Sequence, residues 1–427
     1  MLRFLVVVIA VSALVVVPAS VAAQNQDRQP LSEILPLLYR DTINDEFVAF
    51  LDVFGGLIDV DRLLKSRQDR LDVVFLVIDL AGAQLSSFPL GSGSGGFTWT
   101  FDTASAAFTR GSNSFGPIFA ERPLTVGRRR LNAGANYQRV TFDHLDRRRL
   151  RGGEVIGYFG QNFGSFGLFF ADSLDVTVTT DTLNVFATYG LTDRFDIGVA
   201  VPFNRVNLDA TLTSRIGGTS TGISDTIPPL VQTRSGTATG VGDVVIRAKY
   251  NLLKRNKVAI AESVDVRLPT GDEHELLGVA GPQIKIAIIA SSAWGRLSPH
   301  VNFGYTITGT STSADDPASL VVAPPEEINY VGGADLAVSL RTTVAVGAVG
   351  RILREVGTLT WAPSEFGSQF QQFQLNAGQD LHLLLGSVGV KVNPFGNMLL
   401  TANVLFPLIK RGLTDSLTWM AGVDYSF

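Results

Sequence analysis

From about Phe97 to the C-terminus, apolar and polar residues alternate with period two, the pattern of strands that carry one apolar and one polar face. The last stretch shows it most cleanly. Leu417, Trp419, Ala421, Val423, Tyr425 and Phe427 share one face, and Thr418, Met420, Gly422, Asp424 and Ser426 the other. In the interior, Val244, Ile246, Ala248, Tyr250 and Leu252 alternate with Asp243, Val245, Arg247, Lys249 and Asn251. Val258, Ile260, Val264, Val266 and Leu268 answer them across the short link 253–257, which predicts a hairpin. Further alternating segments occupy about 172–190, 194–212, 281–294, 296–308, 328–340, 342–356, 380–393 and 397–407. Each is at least as long as the roughly 9–11 residues of a tilted membrane strand.

Connections alternate in length. Short ones lie near 191–194, 254–257, 295–296, 341–342 and 394–396, and long ones near 145–171, 213–239, 270–281, 309–327, 357–379 and 408–415. Short turns at one end and long loops at the other predict an all-β fold, a transmembrane antiparallel up-and-down β-barrel with its turns in the periplasm. Closure pairs every backbone donor and acceptor, so no edge meets lipid. Twelve strands run from about 128 to the end. A descending strand at Phe97–Phe108 and an ascending one at Arg70–Asp79 would raise the count to fourteen; otherwise 24–127 enter the lumen and twelve remain. Fourteen is the preferred count.

The N-terminal part reads differently. Arg3 precedes an apolar run from Phe4 to Val11 that resumes as far as Val17, followed by Val21-Ala22-Ala23, which predicts a secretory signal peptide over 1–23. No later stretch reaches the roughly 18 continuous apolar residues of a spanning helix. Leu31, Ile34, Leu35 and Leu38, and then Phe47, Phe50, Leu51 and Phe54, recur at helical spacing. Residues 24–96 are thus expected to form short helices, either a plug in the lumen or a periplasmic appendage, ahead of a barrel over 97–427.

Composition fits this division. Only 17% of the 427 residues are charged, against about 25% in ordinary soluble domains, while 45% are hydrophobic and the mean hydropathy is +0.23. Much of that excess is explained by a surface turned to lipid. Lys and Arg number 35 against 39 Asp and Glu, which leaves no footprint for nucleic acid. The absence of cysteine excludes disulfides, thiolate metal sites and cysteine nucleophiles. No cofactor is expected.

The polar strand faces supply the candidate chemistry. Arg247, Lys249, Asp265, Arg267, Lys285 and Asp335 point inward in this register, as a charge ladder seating a plug or a ligand headgroup, or as the wall of a solvated lumen. Val245, Ala259, Ala261, Ala287 and Ile289 among them suit an apolar passage. Ser298, His300 and Asn302 share one lumen face and invite comparison with an outer-membrane hydrolase. Strand neighbours two apart stand about 7 Å from each other, too far for the roughly 3 Å contact of nucleophile and base, so lumen lining is the better reading and no enzyme is expected. In 172–190 the apolar face changes phase between Val178 and Leu183, and in 194–212 between Phe203 and Val206, just past Pro202. This predicts paired bulges and a lateral exit at Pro202, or else the rim where strands leave the membrane.

Smaller features concern partners. Trp99, Trp294, Tyr305, Trp419 and Tyr425 suit the aromatic girdles of a membrane barrel. Tyr425 and the terminal Phe427 resemble the signal read by the barrel-assembly machinery. Arg147, Arg148, Arg149 and Arg151 sit where they meet lipopolysaccharide phosphates or simply water. The aromatic run from Tyr158 to Phe170 is either a capture surface or a loop folded over the mouth. Gly271-Asp272-Glu273-His274-Glu275 reads as a polar turn rather than a cation site.

Several motifs occur together in one order: Ser114-Phe115-Gly116-Pro117-Ile118-Phe119-Ala120-Glu121-Arg122, Tyr189 through Gly198, Gly242-Asp243 through Lys249-Tyr250, Arg267 through Glu273, and Ser298 through Tyr305. They resemble the outer-membrane family filed under a MetA-pathway of phenol degradation, over roughly residues 85–427. Such proteins are similar to FadL-type channels for hydrophobic compounds. The resemblance implies a passive channel for small hydrophobic compounds, aromatic ones included, in the outer membrane of a Gram-negative-type bacterium. A general porin-like or structural barrel is the alternative, and a hydrolase a remote one. An Asn-Pro-Ala signature of the FadL N-terminus has no counterpart here.

Overall fold

Strand residues that alternate in polarity pair wherever both faces find a suitable solvent, and here they pair until the sheet closes. The computed structural model describes residues 29–54, 82, 84, 96–102, 107–110, 112, 114–162, 167–219, 222–223, 228–255, 257–309, 324–376 and 378–427. The expected signal peptide, the strand at Arg70–Asp79, Phe163 and Phe166 lie outside the described residues, as does the Trp99 side chain.

Twelve strands form a closed antiparallel barrel. They are β1 (Leu131–Phe142), β2 (Gly167–Gly190), β3 (Phe195–Gly218), β4 (Val244–Arg255), β5 (Val258–Leu268), β6 (Gln283–Ser292), β7 (Leu297–Thr308), β8 (Glu327–Ser339), β9 (Thr342–Leu353), β10 (Leu381–Val392), β11 (Met398–Ile409) and β12 (Thr418–Ser426). Each pairs with the next, and β12 returns to β1, with Trp419 opposite Arg139 and Ser426 opposite Asn132. The expected count of fourteen is therefore corrected to twelve. Trp99–Asp102 and Ala107–Arg110 pair only with each other, and closure of β12 on β1 leaves no edge for them to join. The barrel begins at Leu131, not at 97.

Outward faces are apolar over a continuous band. Ile284, Ile286 and Ile288 of β6 and Val301, Phe303 and Ile307 of β7 stand exposed side by side, with Trp294, Tyr305, Trp419 and Tyr425 among the exposed aromatics. A water-facing surface rarely carries so many contiguous large apolar groups, whereas a lipid-facing one requires them.

β2 and β3 are 24 residues each, about 80 Å of chain at roughly 3.3 Å per residue, against an apolar band about 25 Å tall. More than half of each strand therefore stands clear of the bilayer, at the end opposite the short turn 191–194. Their pairing is unbroken from Gly190 opposite Asp196 to Leu168 opposite Gly218. The expected paired bulges are thus absent from this hairpin. What changes along it is which face is apolar. Near the short turn, Leu183, Ile197 and Val199 face outward, exposed. Farther up, Leu174, Val176, Leu208 and Leu212 are buried on the inward face, while Arg205 and Asp209 face out, exposed. The phase change marks the rim of the membrane.

Segments expected as long loops also build this raised wall. Val155–Asn162 pairs with the top of β2, and Leu230–Val241 with the top of β3. Thr358–Ser364 and Gly367–Asn376 form a hairpin whose Phe366 and Phe370 pack on Phe169, with ring centroids 5.1 and 4.8 Å away. Phe169 is thus buried in a packed cluster with Phe366, Phe370 and Tyr158, and Phe170 of the same aromatic run is buried as well.

Inside the raised wall lies helix α1 (Leu31–Phe54). Leu31, Ile34, Leu35, Leu38 and Ile43 are at most 3% exposed and pack on the inward residues of β2 and β3. Burial of such side chains stabilises by roughly 1.5–3 kcal/mol each, which a lone helix in water would forgo. The Gly271–Glu275 turn meets its N-terminus: the His274 carbonyl accepts the Ser32 N–H at 3.0 Å, and the Glu275 carboxylate accepts the Leu31 N–H at 3.4 Å. On the polar side Asp41 pairs with Arg234, and Gln232 donates to Asp45 at 3.1 Å. The sequence pattern suggested several short helices; one helix of 24 residues runs through the first part of that stretch, with Pro36 inside it.

Candidate functional site: an occluded lumen

Polar inward positions on strands need partners, and the chain supplies many of them from its own residues 114–127. This segment crosses the lumen toward the short-turn end. Thr343 accepts the Phe115 N–H at 3.0 Å, and Lys391 donates to the Pro117 carbonyl at 2.7 Å. Asn251 donates to the Pro123 carbonyl at 2.9 Å and Lys249 to the Leu124 carbonyl at 3.0 Å. The Val126 N–H reaches Asp196 at 3.1 Å, and Asp196 also pairs with Lys249 at 3.3 Å. Backbone groups that would otherwise need water are satisfied by charged and amide side chains of the wall, the stronger class of hydrogen bond in a low-dielectric interior. The contact closes on glycine: a Cβ at Gly190 would stand 2.0 Å from the Gly127 carbonyl oxygen.

Between this segment and α1 lies a cavity of about 200 Å³. Its wall carries Arg247, Asp265, Arg267, Lys285, Glu327 and Arg351, and the plug adds Phe119 and Glu121. Strand register puts Arg247 opposite Asp265, and Asp265 opposite Lys285. Arg247 and Asp265 form a two-pronged pair with both contacts at 2.6 Å, and Lys285 Nζ reaches Asp265 at 2.9 Å. Arg247 also pairs with Glu121 of the plug. On β9, Arg351 Nε donates to Glu327 at 3.1 Å. Phe186 and Ala200 on the β2–β3 side and Val245 and Ile289 elsewhere give the same cavity apolar surface. Above the membrane level, burial pushes the Asp146 and Asp415 carboxyls up from their usual range; Asp146 accepts the Gly412 N–H at 2.8 Å and Asp415 the Thr141 N–H at 3.1 Å, tying the loops over the mouth.

The expected lumen residues divide by height. Arg247, Asp265, Arg267, Lys285 and Asn302 line the cavity. Lys249, His300 and Asp335 lie buried outside that lining, with His300 Nδ1 3.7 Å from Asp335. Pro202 is on β3, opposite Asn184 of β2 within the continuous register. On its other side, Val241 faces Phe203 and Val245 faces Ala200, so four steps oppose three and Gly242-Asp243 form a bulge beside Pro202. Gly242 N–H still reaches the Pro202 carbonyl at 2.8 Å, and Asp243 accepts the Gly271 and Val279 N–H groups at 3.0 and 2.9 Å. Tyr425 and Phe427 face outward at the short-turn end with ring centroids 4.7 Å apart. Glu327 and Arg351 were not singled out from the sequence, and Phe119 and Glu121 only as members of a family motif, without a role in the lumen. The plug residues have no strand periodicity to reveal them, but Glu327 and Arg351 sit on inward strand positions that the alternation marks.

A closed barrel with an apolar exterior and a lumen stopped by its own N-terminal residues defines the class: a plugged single-chain membrane β-barrel. Within it, the chain belongs to the family described as putative MetA-pathway of phenol degradation, whose model matches residues 159–379. Among solved structures it is similar to an outer membrane channel from Pseudomonas putida F1, with 14% identity, 71% of this chain and 97% of that chain covered, and a TM-score of 0.42. It is also similar to the Ralstonia pickettii toluene transporter TbuX (10% identity, 70% and 89% covered, TM-score 0.32) and to a Pseudomonas aeruginosa FadL homologue (10%, 70% and 89%, 0.31). No curated protein matches the sequence.

Proposed function

We propose that this protein is a passive outer-membrane channel for small hydrophobic compounds, aromatic ones included. The observation that carries the reading is the occlusion: a lumen crossed by residues 114–127, with α1 packed in the raised wall, leaves a cavity with both apolar and polar lining. An always-open aqueous porin has no use for such an obstruction. The family's description, which names phenol degradation, agrees with aromatic solutes. The short turns then lie in the periplasm and the raised wall outside, as for other membrane barrels.

Two partners follow from this orientation. Tyr425 and Phe427 at the end of β12 present an outward aromatic pair that the barrel-assembly machinery would read. Arg139, paired with Asp181 at 3.6 Å, and exposed Arg205 stand just above the Tyr137–Trp419 ring pair, at the height of lipopolysaccharide phosphates. Arg147, Arg148, Arg149 and Arg151 lie higher, on exposed turns. We propose a side exit at the β3–β4 seam beside Pro202, a reading supported by the bulge that interrupts the ladder there.

The test is transfer across an asymmetric bilayer with lipopolysaccharide on one side. Purified protein is expected to speed the passage of toluene-like solutes without steady ion conductance. Large steady conductance would instead favour a general porin.

A further inference from the structure

The cavity's charges are divided between wall and plug. Among the described residues, its wall carries the cations Arg247, Arg267, Lys285 and Arg351 and the carboxylates Asp265 and Glu327, while a further carboxylate, Glu121, belongs to the plug. Arg247 uses Nε and Nη2 on Asp265, its partner within the barrel, and Nη1 on Glu121. The Arg247 side chain is 26% exposed and that of Lys285 33%, whereas that of Glu121 is 9% exposed. The cations thus meet the open space more than the anion does. Asn302 holds the backbone of Glu121: with its amide oriented by its neighbours, it accepts the Glu121 N–H at 2.6 Å and donates to the carbonyl at 3.2 Å. The ion pair with Arg247 and the Asn302 amide thus both hold the plug at Glu121.

We propose that the channel recognises small apolar monocarboxylates, and that the ligand's carboxylate takes the place of Glu121 on Arg247, unpinning the plug at that point. This rests on the channel reading above and names a solute class for it. A carboxylate is the one ligand group that makes the exchange like for like. One charge-assisted hydrogen bond replaces another, and Arg247 is never left buried with a donor unmet. A neutral hydrocarbon fills space but offers nothing to Arg247. Lys285 and Arg267 beside the same opening add to the attraction. The ligand's body lies against Phe119, Phe186 and Ile289. Size agrees: a cavity of about 150 Å³ holds benzene, so 200 Å³ admits one ring and its carboxylate.

The experiment is equilibrium binding of benzoate, benzamide and toluene to the full-length protein in detergent, with toluene entry into intact expressing cells measured alongside. Benzoate is expected to bind at least tenfold more tightly than its neutral isostere benzamide. Glu121→Gln removes the internal competitor and should tighten benzoate about tenfold; Arg247→Met should erase the preference. Equal binding of benzoate and benzamide to the unaltered protein overturns the proposal, whatever the variants do. Unchanged benzoate affinity in a folded E121Q protein overturns it as well. If either result comes with protein-dependent toluene entry, the channel reading stands and only the carboxylate is lost. Absence of protein-dependent toluene entry sinks the channel reading instead.

Discussion

At Gly190 the end of β2 meets the backbone of the plug, and the space for a side chain there is filled by the Gly127 carbonyl oxygen, 2.0 Å from where a Cβ would stand. Gly190→Ala must therefore displace backbone, and because Gly190 is held in the β2–β3 ladder opposite Asp196, the shift falls at least partly on the end of the plug. We expect a folded barrel with increased ion conductance in planar bilayers; conductance equal to that of the unaltered protein would show that the segment does not obstruct the lumen. The motifs that carry the family resemblance gather at this contact. Ser114–Arg122 is the plug itself, Gly190 and Asp196 receive its end, and Arg247, Lys249 and Asn302 hold its middle. Inward placement of Arg247, Asp265 and Lys285 was legible because period two assigns a face to every strand residue. Their partner Glu121 was not, since a segment outside the ladder follows no period.

α1 shows how an element can be legible in kind and hidden in place. Leu31, Ile34, Leu35 and Leu38 announce a helix with one apolar stripe, but what covers the stripe lies on strands more than a hundred residues away. Leu38 is fully buried against that wall. Leu38→Ala should destabilise the packing by about 2–5 kcal/mol. The expected outcome is faster proteolysis within 31–54 with the barrel intact, and unchanged protection would mean that α1 is held by other contacts. β2 and β3 teach the complementary lesson. Their change of apolar face read as a pair of bulges, because sequence alone assumes one solvent along a strand. These strands pass from lipid into water, and their inward side passes from a polar lumen to the apolar face of α1. The ladder irregularity lies instead at Gly242-Asp243, on the other side of Pro202. With no native cysteine to interfere, a disulfide joining F203C to V241C across that seam is expected to slow solute uptake, while one joining V185C to V201C within the continuous β2–β3 ladder leaves it unchanged. Equal rates for both would remove the exit at Pro202.

For the molecule as a whole, the excess of apolar residues divides among two surfaces. One is the lipid-facing band of β1–β12, and the other is the packing of α1 inside a wall raised well above it. Fold class and the alternation of short and long connections were legible from the sequence because both depend on local periodicity and loop length. The count of twelve strands was not, because Trp99–Asp102 has the period of a strand and finds its partner in Ala107–Arg110 rather than in the barrel. This plugged barrel is proposed to admit small hydrophobic compounds through an outer membrane that otherwise resists them. Such admission is tested most directly by the entry rate of toluene-like compounds into intact cells with and without the gene, with a hydrophilic sugar measured in parallel. Channel activity of this kind entails slower entry of the aromatic compounds in the deletion strain and no change for the sugar. Equal aromatic entry in the two strains would contradict it.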